Sequence, residues 1–182
     1  RSRVRWKRRV EMVNSETGLP KLRALEIRLI RDKIGSGHVV IAKIQNYERV
    51  LKTLRSDDKG SYVLKLVDRL RAADPDLAIY SDGHHLGWHV ASDDTNAVTD
   101  HLEGLRAIFA APVQVGGFSV DVGITFGVAA VDDDPTVRLA AAVAAAEETS
   151  EAHNPIAVAE TGSHSDLLWD ISLRARIDEA ME

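Results

Sequence analysis

Ile79-Tyr80-Ser81-Asp82-Gly83-His84-His85-Leu86-Gly87-Trp88-His89-Val90 decides the fold. Apolar Leu77, Ile79, Leu86, Trp88 and Val90 are interleaved with polar residues, and Asp82-Gly83 stands between the two halves. Period-two alternation around an Asp-Gly pair predicts a β-hairpin.

Working upstream, Asp74-Pro75-Asp76 ends a helix in which Val63, Leu66, Val67 and Leu70 form one apolar stripe. Ser56 to Gly60 reads as punctuation, so this helix is expected to begin near Ser61. A shorter helical stretch, from Asn46-Tyr47 through Leu54, precedes the break. Before it, Val39 to Ile44 is a β-branched, apolar run broken only by Lys43, the pattern of a buried central strand. Further back, Gly18 and Pro20 mark a turn into a helix carrying Leu22, Leu25 and Leu29.

Downstream, Thr95 to Phe109 is amphipathic, with Val98, Leu102, Leu105 and Phe109 inward. Pro112 to Val120 predicts a second hairpin, turning at Gly116-Gly117, whose second arm runs on through Ile124 to Val128. Asp134-Pro135 caps an alanine-rich helix to about Thr149, and Asn154 to Ala159 is a last strand. This order of elements indicates an α+β domain, a mostly antiparallel central sheet flanked by helices.

The 182 residues are 45% hydrophobic and 28% charged, enough for one domain with a real core. No cysteine is present, which excludes disulfides and thiolate metal sites and permits a reducing compartment. No apolar run is long enough to cross a membrane. The net charge of -5 is asymmetric: residues 1–10 hold six of the 23 Lys and Arg side chains, leaving 17 against 28 acids in the remainder. An acidic body argues against nucleic acid as a partner. The basic start, with Trp6, fits the cytoplasmic flank of a preceding transmembrane helix; the plainer reading is a solvated helix end. We read residues 1–13 as a juxtamembrane-type lead-in helix.

Helix, hairpin, helix and the upstream strand together resemble the GGDEF domain, the diguanylate cyclase fold, over residues 14–160. Glu16-Thr17-Gly18-Leu19-Pro20-Lys21 is similar to the entrance of such domains, and Asp82-Gly83-His84-His85-Leu86 stands at the signature hairpin. The resemblance implies a Mg²⁺-dependent site for GTP, and each catalytic and base-reading position it assigns has changed here. The first-strand aspartate that holds metal becomes Lys43, which cannot ligate Mg²⁺ while protonated. The acidic pair of the signature becomes His84 and His85, poor ligands for a hard cation. The first signature glycine becomes Asp82, and only Gly83 is kept. The guanine-holding positions become Leu51 and Gly60, and the arginine before the signature becomes Tyr80. Of the inhibitory Arg-x-x-Asp only Asp76 remains, Ala73 taking the arginine's place with Arg71 nearby. The expectation is a degenerate domain with no catalytic residue, no metal and neither GTP nor Mg²⁺ as cofactor.

His84, His85 and His89 raise a separate metal question, since imidazole suits zinc or copper. On a strand His85 and His89 share a face about 13 Å apart, too far for one ion, and His84 and His89 point to opposite faces. The plainer reading is a polar hairpin with surface imidazoles. Gly116-Gly117 is a hairpin turn rather than a phosphate loop, and no Gly-x-Ser-x-Gly elbow exists for a hydrolase.

Residues 161–182 follow as a linker and a helix start on which Trp169, Leu173 and Ile177 recur every four residues. Asp166 to Ala180 resembles the lead into an EAL domain, the cyclic di-GMP phosphodiesterase that often follows a GGDEF domain. The implied whole is an inner-membrane bacterial protein in which a cytoplasmic, non-catalytic module, open to homodimerisation, regulates an EAL partner in the same chain. The alternative is a GTP-binding sensor without turnover. Lys43 is expected near the hairpin, paired with Asp82 directly or through His84, because a buried ammonium needs a partner.

Overall fold

A computed structural model describes residues 12–160 of the chain. The expectations for residues 1–11 and 161–182, including the basic lead-in and the EAL-like segment, lie outside the described residues.

The apolar run after the first helix becomes β1 (His38–Ile44), the middle strand of a five-stranded sheet. Helix α1 (Leu22–Arg31) precedes it, and α2 (Tyr47–Thr53) and α3 (Ser56–Ala73) follow. The predicted hairpin is β2 (Tyr80–Asp82) and β3 (His85–Val90). Helix α4 (Thr95–Ile108), a ribbon of β4 (Val113–Val115) and β5 (Phe118–Val120), then β6 (Ile124–Ala130), α5 (Pro135–Glu147) and β7 (Ile156–Val158) complete the chain. The sheet runs β2-β3-β1-β6-β7; β7 alone lies parallel to its neighbour.

Alternation along β1 divides the core in two. Val40, Ala42 and Ile44 face α3 and α4 together with Leu86, Trp88, Phe126 and Val128. Trp88 and Phe126 meet edge to face, 6.2 Å between ring centres. Val39 and Ile41 face the opposite way, against Leu25 and Leu29 of α1 and Leu139, Ala142 and Ala146 of α5. Each fully buried Leu, Ile or Phe contributes roughly 1.5–3 kcal/mol over its exposed state. With helices on both sides, β1 and β3 are buried on both faces, which is why β1 reads as a continuous apolar run.

Two boundaries differ from the sequence expectation. Helix α3 starts at Ser56, so Ser56 to Gly60 is its first turn rather than a break. Gly60 serves the tertiary fold: a Cβ there would stand 2.4 Å from the Glu16 carbonyl oxygen, where the entrance loop crosses the helix. The second arm of the second hairpin also stops at Val120. β4 and β5 form a separate two-stranded sheet, and after Asp121 to Gly123 the chain enters the main sheet as β6. The ribbon is strapped to α3, because Lys65 donates to the Gln114 carbonyl and Arg69 to those of Ala111 and Pro112. No helix among the described residues is long and apolar enough to cross a membrane.

Candidate functional site

Three register-matched residues lie side by side across the sheet: His85 on β3, Lys43 on β1 and Thr125 on β6. They share the face of Val39 and Ile41, so they look toward α5. Helix α5 is capped by Asp134, whose side chain accepts from Val137 N, with Pro135 in the first turn. It crosses β6 at Gly127, where a Cβ would come within 2.2 Å of the Ala142 carbonyl oxygen. That close crossing brings the last turn of α5, and Glu147 with it, over the row.

Glu147 is the centre of the cluster. One carboxylate oxygen, Oε1, stands 2.6 Å from His84 Nε2 and 2.5 Å from His85 Nε2. The other, Oε2, lies 3.4 Å from the Lys43 ammonium. Lys43 also donates to the main-chain oxygen of Glu147 at 3.4 Å, capping a carbonyl that the helix end leaves unpaired. An acid in the last turn faces the negative end of the helix dipole, at a cost of roughly 0.3–1 kcal/mol that the lysine helps offset. The hydrogen bond from His84 is the main cause of an acidic Glu147, partly opposed by burial; His85 and Lys43 add to it and bring the carboxyl pKa down to about 2. An ionised carboxylate only accepts, so both imidazoles carry hydrogen on Nε2. At His85, burial and then the neighbouring His84 push the pKa below its ordinary value against the pull of Glu147.

The turn explains how adjacent histidines reach one oxygen. Asp82 pairs with His85, leaving Gly83 and His84 as a two-residue loop, with Gly83 at φ 53. A positive φ at the first central residue suits glycine and is typical of a II′ hairpin. His84 then folds over His85, ring centres 4.0 Å apart, with the Tyr47 ring 6.3 Å beyond.

Several expectations change here. Lys43 does lie beside the hairpin, yet its partner is Glu147 and not Asp82; it reaches both histidines through that carboxylate. His85 is 9% exposed, so it is no surface imidazole. His89 is held separately, with Nε2 2.9 Å from the Ser36 carbonyl oxygen. Leu86 is wholly buried and Leu51 packs at the edge of the same core, both as apolar residues. Tyr80 is buried on the α1 side, and Asp76 and Arg71 are exposed. Gly60 borders a cleft of about 560 Å³ lined by Glu16, Asp57, Ser61, Lys65 and Asp68 among others. Glu147 was missed from sequence. Its one signal is a carboxylate at the end of a helix whose last turn holds no basic residue.

One carboxylate, two imidazoles and an ammonium do not suit Mg²⁺ on a triphosphate, which needs several oxygen ligands. No protein-family model matches the chain, and no curated protein matches it. Solved structures do. The GGDEF domain of PA1120 from Pseudomonas aeruginosa has a TM-score of 0.68 at 19% identity, covering 86% of this chain and 99% of that one. The GGDEF domain of PA2567 from the same organism has a TM-score of 0.63 at 21% identity, covering 78% and 92%. That of DgcB from Caulobacter crescentus, solved in complex with c-di-GMP, gives 0.67 at 13% identity, covering 82% and 96%. The α+β architecture, with its mixed central sheet between helices and its hairpin at the sheet edge, is the fold of GGDEF domains.

Proposed function

We propose that this chain is a regulatory module of a cyclic di-GMP signalling protein that does not itself make cyclic di-GMP. The observation that carries the reading is the Lys43–Glu147 ion pair with its two imidazoles. It fills the position where the resemblance puts metal and carboxylates. With one carboxylate, two imidazoles and the Lys43 ammonium there, the cluster offers too few oxygen ligands to hold Mg²⁺ on a triphosphate. The link to cyclic di-GMP is an analogy of fold, supported by a DgcB domain solved with that molecule. The wider proposal is a module, open to homodimerisation, that controls an EAL phosphodiesterase in the same parent chain. The EAL-like run from Asp166 to Ala180 supports that partner, and the basic start at residues 1–10 supports a cytoplasmic position beside an inner membrane.

The test is chromatography of reactions containing the chain, GTP and Mg²⁺ or Mn²⁺. We expect no cyclic di-GMP above a no-protein control. Product that disappears when the hairpin is mutated would overturn the proposal.

The cleft beside Gly60 favours a second reading, a GTP-binding sensor without turnover, because it has room for a base. Its lining counts against a triphosphate, with Glu16, Asp57 and Asp68 facing one cation, Lys65.

A further inference from the structure

We propose that His84, His85 and Glu147 form a binding site for a borderline divalent transition-metal ion, zinc above all. The three side chains come from a hairpin turn and a helix end, and their ligand atoms all lie within 4.8 Å of one another. Two imidazole nitrogens and one carboxylate oxygen form a ligand set that zinc takes at open sites, leaving a fourth position for water. The same set disfavours Mg²⁺ and Ca²⁺, which prefer oxygen.

The approach is already built. Both Nε2 atoms point at Glu147 Oε1, and an ion would be taken by their lone pairs once each neutral ring carries its hydrogen on Nδ1 instead of Nε2. To admit it, Glu147 has only to draw back from contacts of 2.5 and 2.6 Å to the wider spacing of ligands around zinc, whose bonds are about 2.0–2.2 Å long. Its side chain is 44% exposed and His84 is 37% exposed, so there is room to move and a path for entry. His85, 11% exposed along its side chain, is the fixed member. Lys43 does not occupy a ligand position. It sits on Oε2, the oxygen turned away from the imidazoles, and on the Glu147 main chain. There it acts as an outer partner orienting a ligating carboxylate. Its charge opposes the ion, and its flexible stem lets the ammonium swing outward. Metal binding here stands whether or not the chain turns over GTP.

The experiment is competition for Zn²⁺ between the full 182-residue chain and a chromophoric chelator, with Co²⁺ absorption as a second readout. We expect one ion per chain, bound at micromolar or tighter concentration, and visible Co²⁺ bands of a nitrogen-oxygen site. His85→Ala and Glu147→Gln should each weaken Zn²⁺ at least tenfold, while His101→Ala and His153→Ala change nothing. Lys43→Met should leave binding equal or tighter. Millimolar Mg²⁺ should not compete. Circular dichroism of each variant separates lost ligands from lost fold; should His85→Ala fail to fold, His84→Ala replaces it. Zn²⁺ affinity no tighter than millimolar, or tight affinity that survives both a histidine variant and Glu147→Gln, overturns the proposal.

Discussion

At the scale of single residues, Tyr62 makes a test of burial. Its ring is fully buried and its hydroxyl has no hydrogen-bond partner among the described residues. Burial pushes its pKa from 10.0 up to about 12. The fold therefore favours the protonated phenol. The stability tied to this group is fully present below pH 10 and is lost as pH rises from 10 toward 12. Tyr62→Phe removes an unpaired buried group, and we expect a gain of about 1 kcal/mol at neutral pH in urea unfolding. The variant should also lose the part of the alkaline instability that lies between those two values. Lys43 offers a second test. A double-mutant cycle on Lys43 and Glu147 should give about 0.5–1 kcal/mol of coupling, modest because the carboxylate is partly solvated. The same cycle on Lys43 and Asp82 should give none; equal coupling in both would contradict the geometry.

Among the elements, α5 matters most, because its crossing over β6 decides where Glu147 lies. A Cβ at Gly127 would meet main-chain atoms of Ala142 and Ala146, which cannot rotate away. Gly127→Ala should cost about 2–3 kcal/mol, the upper range for overpacking, and should lift the last turn of α5 from the hairpin. A melting curve with unchanged midpoint would show that the helix can shift freely. The hairpin itself was legible because its signals are local: alternation, and a glycine in the turn. Helix α5 was legible through Asp134-Pro135 for the same reason. The start of α3 was not, since Gly60 answers to the Glu16 backbone and looks like a breaker to any local reading. The break between β5 and β6 was hidden as well, because a strand that changes sheets keeps its apolar composition.

On the whole-molecule scale, the α+β class, a sheet flanked by helices, followed from the order of elements, while the site did not. Lys43 and Glu147 are 104 positions apart, and no local pattern links them. Position-by-position resemblance found the residues on β1 and the hairpin and could not find the carboxylate that α5 delivers to them. With Glu147 in place, Lys43 and the histidines read as one interlocked cluster tying three elements together. Missing product in a turnover assay has several causes, including failed assembly, whereas binding interrogates the site alone. The most direct measurement is therefore calorimetric titration of GTP with Mg²⁺ into the full chain. We expect no binding tighter than millimolar; a single-site isotherm with micromolar affinity would contradict the regulatory account and establish the sensor.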